Sequence, residues 1–197
     1  MNGAALWSLF TEFGPIIVLF VAGQLTDFNT AVAYFVGATA GASAISWWRA
    51  RQLPVLPLIS AVFVIVGGII TLVYDAPDAI IFADTIYYLL LALLFVYSLY
   101  GRHGIFLKRL FGNVFAITDR GWRVLTIRWL VLCVVAAIIN EYVRQTASPE
   151  VWIDYRFYKT IAITLFAVFQ LSLSRKYRIV EEANAWGFRA ANTRGKA

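Results

Sequence analysis

The sequence predicts an all-α membrane protein, a polytopic transmembrane helical bundle of five to six spans. Three observations predict it. Hydrophobic residues fill 61% of the 197 positions and charged residues only 14%, with a mean hydropathy of +0.73. A soluble domain of this size needs far more polar surface. Residues 28–48, 52–74 and 85–101 carry no charge at all, and a charge-free apolar run of about 18 residues or more has the length of a bilayer-crossing helix. Barrel strands would be about ten residues long with alternating polarity. These runs are longer and uniformly apolar, and backbone in hydrocarbon must bond internally, so helices remain.

Six candidate spans follow in order, at about 6–23, 29–48, 54–74, 80–100, 124–141 and 157–174. Glu12 and Gly14-Pro15 interrupt the first and Asp27 closes it, so a short or re-entrant segment is expected there. The N-terminus has no basic stretch followed by a small-residue cleavage site, which predicts a retained anchor helix rather than a secretory signal. In the second span, Gly37-Ala38-Thr39-Ala40-Gly41 has the small-xxx-small spacing that lets helices approach closely. Packing within the chain is the preferred use, with a homodimer face as the alternative. Pro54 and Pro57 start the third span, where a missing N–H costs little, and Gly67-Gly68 either packs closely or bends it. Asp84 opens the fourth. Arg128 lies one turn inside the fifth, which Asn140 and Glu141 close. Asp154, Arg156 and Lys159 open the sixth.

Two segments lie outside the spans. In 101–123, Leu107, Leu110, Phe111, Val114 and Phe115 recur at helical spacing, with Lys108, Arg109 and Asn113 between them. That pattern predicts a short interfacial helix on anionic headgroups, with a packed loop as the alternative. Residues 175–197 are polar and basic, and a short helix extension followed by a disordered tail is expected. The domain reading is therefore a single transmembrane domain over 1–177 and a basic cytoplasmic tail over 178–197.

Basic residues set the orientation. Arg49 and Arg51, then Arg102, Lys108, Arg109, Arg120 and Arg123, then Arg175, Lys176 and Arg178 mark one side. Asp27, Asp75, Asp78, Glu141, Glu150 and Asp154 mark the other, with Arg144, Arg156 and Lys159 as exceptions. The C-terminus is thus expected in the cytoplasm. Aromatic residues sit near the span ends, where amphipathic rings suit the headgroup layer: Trp47, Trp48, Tyr74, Tyr97, Tyr100, Trp122, Trp129, Tyr142, Trp152 and Tyr177.

Chemistry-bearing patterns are scarce. His103 is the only histidine and Cys133 the only cysteine, so no metal site and no intrachain disulfide is expected. No G-x-x-x-x-G-K, G-x-G-x-x-G or G-x-S-x-G occurs, and no enzyme activity or cofactor is expected. Ionisable residues at the spans are the remaining candidates. About 13 residues separate Arg128 from Glu141, or roughly 20 Å along one helix, so they cannot pair directly. Arg128 is read as snorkelling to phosphates and Glu141 as paired with Arg144 or Arg156, with a polar pathway as the alternative. No acidic group is evident at mid-bilayer. The net charge of +6 is accounted for by topology signals and does not imply nucleic-acid binding.

An ordered set of marks resembles the intracellular septation protein A family, also called the inner membrane-spanning protein YciB family. It comprises Gly14-Pro15-Ile16-Ile17-Val18-Leu19-Phe20, Leu53-Pro54-Val55-Leu56-Pro57-Leu58, Gly67-Gly68 with Thr71-Leu72, Phe111-Gly112, Thr118-Asp119-Arg120-Gly121-Trp122, Arg128-Trp129, Asn140-Glu141-Tyr142-Val143 and Trp152. The resemblance runs from about Phe13 to Tyr177. Departures occur at Ala83-Asp84, where that pattern has lysines, at an extra residue between Gly68 and Thr71, and at Tyr155-Arg156-Phe157-Tyr158-Lys159. The resemblance implies a multi-pass protein of a Gram-negative inner membrane, tied to envelope integrity, elongation and septation, without catalytic activity. Its implied partners are the lipid bilayer and other inner-membrane proteins of envelope synthesis or division.

The resulting expectation is a non-catalytic scaffold or accessory subunit, possible as a homo-oligomer, with a transporter or lipid-handling protein as the alternative. Arg128, Asn140, Glu141, Asp119, Trp122, Gly37 and Gly41 are its candidate polar or packing positions. A solute path would be reached by Arg128, Asn140 or Gln170.

Overall fold

A computed structural model describes residues 3–50, 55–101 and 104–189, with side chains described over 13–48, 58–101 and 104–189. Among them the chain forms seven helices: α1 (Gly3–Leu25), α2 (Phe28–Ala50), α3 (Val55–Tyr74), α4 (Asp78–Tyr100), α5 (Phe106–Phe111), α6 (Asp119–Thr146) and α7 (Pro149–Lys176). Each predicted span overlaps one helix. By length and composition α4, α6 and α7 can each cross a membrane, and the apolar stretches 13–25 and 58–74 are shorter. The long helices carry apolar side chains on their outside. Val62, Val66 and Ile69 on α3 and Val131, Val135 and Ile138 on α6 are all exposed. Water penalises such faces, and hydrocarbon does not.

Helix ends follow local chemistry. Asp27 caps α2, its carboxylate accepting the backbone N–H of Thr30 at 3.0 Å and the Thr30 hydroxyl at 2.7 Å. Those two bonds hold the Asp27 carboxyl below its ordinary range. α3 ends with Asp75 in the left-handed region (φ 48°) and the Ala76 N–H returning to Thr71 O, a Schellman closure. The Thr71 hydroxyl then accepts the Ile80 N–H at 3.1 Å, serving one of the unpaired donors at the start of α4.

Clustering of backbone contacts divides the chain into two units, 1–88 with 136–160 and 89–135 with 161–197, so α4, α6 and α7 contribute to both. The first unit holds the main apolar core: Leu19 from α1, Val32 and Phe35 from α2, Ile80 and Ile81 from α4, and Trp152 from α7. α1 packs on α2 and α2 on α3. Gly68 lies directly against Val36, and a Cβ on Gly67 would stand 2.8 Å from the Ala83 Cβ. Gly67-Gly68 therefore serves close approach.

In the second unit the Phe106 N–H donates to Ser98 Oγ at 2.6 Å, ordering the start of α5. Thr118 begins α6, its hydroxyl accepting the Gly121 N–H at 3.2 Å. After α7 the backbone folds back: Thr118 N–H donates to Tyr177 O, Ile179 N–H to Ala116 O, Ala116 N–H to Gly187 O and Arg189 N–H to Val114 O. Gly187 has φ 84° and a Cβ there would sit 2.7 Å from Ser174 O, so this position requires glycine.

Several expectations are corrected. α1 runs unbroken through Gly14-Pro15; proline deletes one backbone donor, which a membrane helix tolerates. The interfacial helix is only six residues long, because Val114 and Phe115 leave the helix and pair with 188–189. Residues 177–189 are not a helix extension leading into disorder, since loop 114–118 satisfies their backbone. Among the described residues Gly37 and Gly41 have no close packing partner: a Cβ on either meets no described atom within 4 Å. Arg51, Pro54, Arg102, His103 and the tail beyond Arg189 lie outside the described residues, as do the side chains of Glu12, Arg49 and Pro57.

Candidate functional site

Buried polar side chains from α4, α6 and α7 meet in the first unit. Asp84 stands six residues inside α4, about 9 Å from its start, and Arg156 seven residues inside α7, about 10 Å from its start. Arg156 and Lys159 share a face of α7 through their i, i+3 spacing. The Arg156 guanidinium donates to Asp84 Oδ1 at 2.8 Å, and the Lys159 ammonium meets Asp84 Oδ2. All three side chains are more than nine-tenths buried. Aromatic faces line the cations: Phe35 and Trp152 lie 5.1 Å from the Arg156 guanidinium, and Tyr88 and Tyr155 lie 4.8 and 5.0 Å from the Lys159 nitrogen. Such rings partly compensate a desolvated cation.

Asn140 sits beside this cluster. Its amide nitrogen donates to Ile81 O and Thr85 Oγ1, both at 2.9 Å, and its oxygen accepts the Trp152 indole N–H at 3.1 Å. One fully buried side chain thus ties α6 to α4 and α7. Thr85 adjoins Asp84 in sequence and Trp152 stacks under Arg156, so the Asn140 hub and the charge cluster form one network. Glu141 touches this network through a hydrogen bond with Thr85 but takes its main partners elsewhere. It accepts from Arg144 at 3.0 and 2.6 Å and from Gln145 at 2.7 Å, while Arg144 also reaches Asp78 at 3.3 Å.

In the second unit, Arg128 lies nine residues inside α6, its guanidinium exposed and one nitrogen donating to the buried Gln170 Oε1 at 3.2 Å. Asp119 is exposed and pairs with Lys108 at 2.5 Å. Trp122 is fully buried.

The seven candidate positions fall in both units, Gly37, Gly41, Asn140 and Glu141 in the first and Asp119, Trp122 and Arg128 in the second. Arg128 meets Gln170, but Asn140 belongs to the first unit. Arg128 and Glu141 take separate partners, as their spacing along α6 requires. Arg156 pairs with Asp84, leaving Glu141 to Arg144. Asp84 does not open α4 but lies nearly two turns inside it, short of the helix middle. Trp122 and Trp152 are not interfacial rings but buried anchors, whereas Trp47, Trp48, Tyr74 and Tyr100 are exposed as such rings should be. The charge cluster itself escaped the sequence reading. Its signal was present: an acid inside one apolar span and two bases one turn apart inside another.

Residues 8–179 match the family model described as intracellular septation protein A. The chain belongs to the intracellular septation protein A family. It is 35% identical over 178 residues to an inner membrane-spanning protein YciB of Afipia carboxidovorans, covering 89% of this chain and 88% of the relative. A protein of the same name from Nitrobacter hamburgensis is 35% identical over 176 residues, with 88% and 87% covered, and one from Sinorhizobium medicae is 33% identical over 194 residues, with 90% and 91% covered. No solved structure matches the chain. Trp122, Asn140 and Trp152, which carried the resemblance in the sequence, are buried. Asp84 and the Arg156–Lys159 segment meet each other in the charge cluster.

Proposed function

We propose that this septation-family chain is a multi-pass protein of a bacterial inner membrane that supports envelope biogenesis, envelope integrity and septation as a non-catalytic scaffold or accessory subunit. In this reading α1, α2, α3, α4, α6 and α7 cross the bilayer and α5 lies at its cytoplasmic surface. The C-terminal segment, with Arg175, Lys176 and Arg178, faces the cytoplasm by the excess of basic residues on that side. Family membership is the observation that carries the envelope role. The geometry supports a scaffold. Asn140 spends its hydrogen bonds on holding helices together, and α2 turns Gly37 and Gly41 outward, where a partner helix can approach.

The test is complementation of a strain lacking the gene, scoring growth, cell length and sensitivity to detergent and low osmolarity, alongside in-cell crosslinking. Gly37→Leu/Gly41→Leu should insert normally, because both positions face open space, yet lose crosslinks and rescue. Full rescue with wild-type crosslinks would remove the α2 face from the account. Reporter fusions at the C-terminus test the orientation.

A second reading, a transporter or lipid-handling protein, is favoured by the Asp84–Arg156–Lys159 cluster, since ionisable groups buried among membrane helices mark ligand sites by default. Failure of inserted Arg156→Gln to rescue, with crosslinks intact, would favour it over the scaffold.

A further inference from the structure

Arg128 places a charge on an apolar surface. It lies nine residues inside α6, about 14 Å from the helix start. It is exposed, and so are the apolar side chains of Ile127 and Val131 beside it. On a membrane-crossing helix such a surface meets lipid. A cation there is costly unless an anion answers it.

The second unit does not supply that anion. Its acids are Asp119, Glu181 and Glu182. Asp119 begins α6, and Glu181 and Glu182 follow the end of α7. Asp119 pairs with Lys108, and Glu182 with Arg189. Gln170, which accepts from Arg128 at 3.2 Å, is neutral.

Gln170 also limits how far the cation can withdraw. It is buried, and its amide nitrogen donates to Phe166 O at 3.1 Å, which aims the amide oxygen at Arg128. Trp129 stands edge-on to Phe166 at 5.3 Å, seating this turn of α6 on α7. The guanidinium is thus held level with Gln170, five residues or about 8 Å short of Arg175 at the end of α7. A guanidinium carries five N–H donors in a planar fork suited to phosphate oxygens, and the Gln170 contact uses one.

We propose that Arg128 and Gln170 form a binding site for the phosphate group of an anionic phospholipid, whose acyl chains lie along the exposed face of α6 at Ile127 and Val131. Arg128 pairs with the phosphate, and Gln170 orients Arg128. The exposed Arg123, Arg175 and Lys176, toward the ends of the same two helices, favour a net-negative headgroup over a zwitterionic one. A soluble anion has no route to this depth through hydrocarbon. The inference rests on the reading that α6 and α7 cross the bilayer.

The experiment uses the full chain purified in an uncharged detergent. Its thermal midpoint is followed during titration with phosphatidylglycerol, phosphatidylcholine or sodium phosphate at equal ionic strength. A ligand that binds only the folded state raises the midpoint progressively with its concentration. Phosphatidylglycerol should do so, phosphatidylcholine less and sodium phosphate not at all. Arg128→Gln should weaken the apparent affinity for phosphatidylglycerol about tenfold, the equivalent of one charge-assisted hydrogen bond. Arg120→Gln, at an exposed cation in the first turn of α6, should leave it unchanged. Equal responses to the two lipids, an equal response to sodium phosphate, or equal losses in the two variants would overturn the site. Should Arg128→Gln fail to insert, wild type decides, with a phosphatidylglycerol bearing a photoreactive headgroup. Labelling within 124–131 or 167–174 supports the site, and labelling confined to other segments overturns it and leaves Arg128 to an acid of a partner chain. Alkaline extraction of membranes carrying the chain tests the crossing separately. A chain released by alkali loses the bilayer reading, whereas one retained without a lipid response loses only this site.

Discussion

Asn140 offers the sharpest test of how the bundle is held. Asn140→Ala removes three hydrogen bonds, to Ile81 O, Thr85 Oγ1 and the Trp152 indole N–H. The three orphaned groups are not equivalent. Thr85 lies four residues after Ile81 on α4, so its hydroxyl can turn and donate to the Ile81 carbonyl. The Trp152 indole N–H has no such recourse, and Trp152 is fully buried. Interhelical hydrogen bonds in membranes average about 0.6 kcal/mol and reach about 1.7 kcal/mol. A buried donor left without an acceptor costs about 1–3 kcal/mol. Two modest losses and one unrelieved donor give a destabilisation of about 2–4 kcal/mol. The control is the neighbouring Glu141→Ala, which breaks a partly exposed pair with Arg144 and should cost at most about 1 kcal/mol. Reversible unfolding in mixed micelles with increasing sodium dodecyl sulfate measures both. A double-mutant cycle with Trp152→Phe should give a coupling of about 0.6–1.7 kcal/mol. If Asn140→Ala falls within about 0.5 kcal/mol of wild type, or costs less than Glu141→Ala, the hub reasoning fails.

Two further substitutions probe glycine positions by the same unfolding assay and by protease. Gly67→Ala places a Cβ 2.8 Å from the Ala83 Cβ and 3.1 Å from the Ile80 Cα. It should cost about 1–3 kcal/mol through overpacking, whereas Gly37→Ala on the open face of α2 should be neutral or slightly stabilising. Equal costs would mean that α3 and α4 are not packed so closely. Gly187→Ala forces a side chain into φ 84° and against Ser174 O, a strain of about 1–3 kcal/mol. That should release the segment 177–189 from loop 114–118, seen as faster trypsin cleavage at Arg178 with the helices still protected. Unchanged cleavage would show that the segment is held by something other than those backbone bonds.

The sequence made the helices legible because membrane length and charge exclusion are strong, local constraints. Runs such as 52–74 and 85–101 have few alternatives once hydrocarbon is the solvent. Ends were less legible. Asp119 and Arg120 read as loop because they are charged, yet they form the first turn of α6, where an acid suits the helix dipole. The aromatic residues show a deeper limit. Trp47 and Trp152 look alike in sequence, each a tryptophan near a span end. One is exposed and the other is fully buried with its indole N–H on Asn140. Nothing local separates them, because the difference lies in which helix each faces.

The charge cluster was hidden for the same reason. Asp84, Arg156 and Lys159 are far apart in the chain, and each alone reads as a residue marking a span boundary. Only the juxtaposition of α4 and α7 turns three boundary charges into a buried group with one cation in excess. The two halves of the network carry different burdens. Asn140 satisfies its partners within the bundle, so its loss should register as instability. Arg156 also holds Asp84, so its loss should register as instability too, whereas removing the excess cation at Lys159 leaves a balanced Asp84–Arg156 pair. Arg156→Gln should therefore cost more than Lys159→Met in the same unfolding assay, and the reverse order would refute this account of the charges.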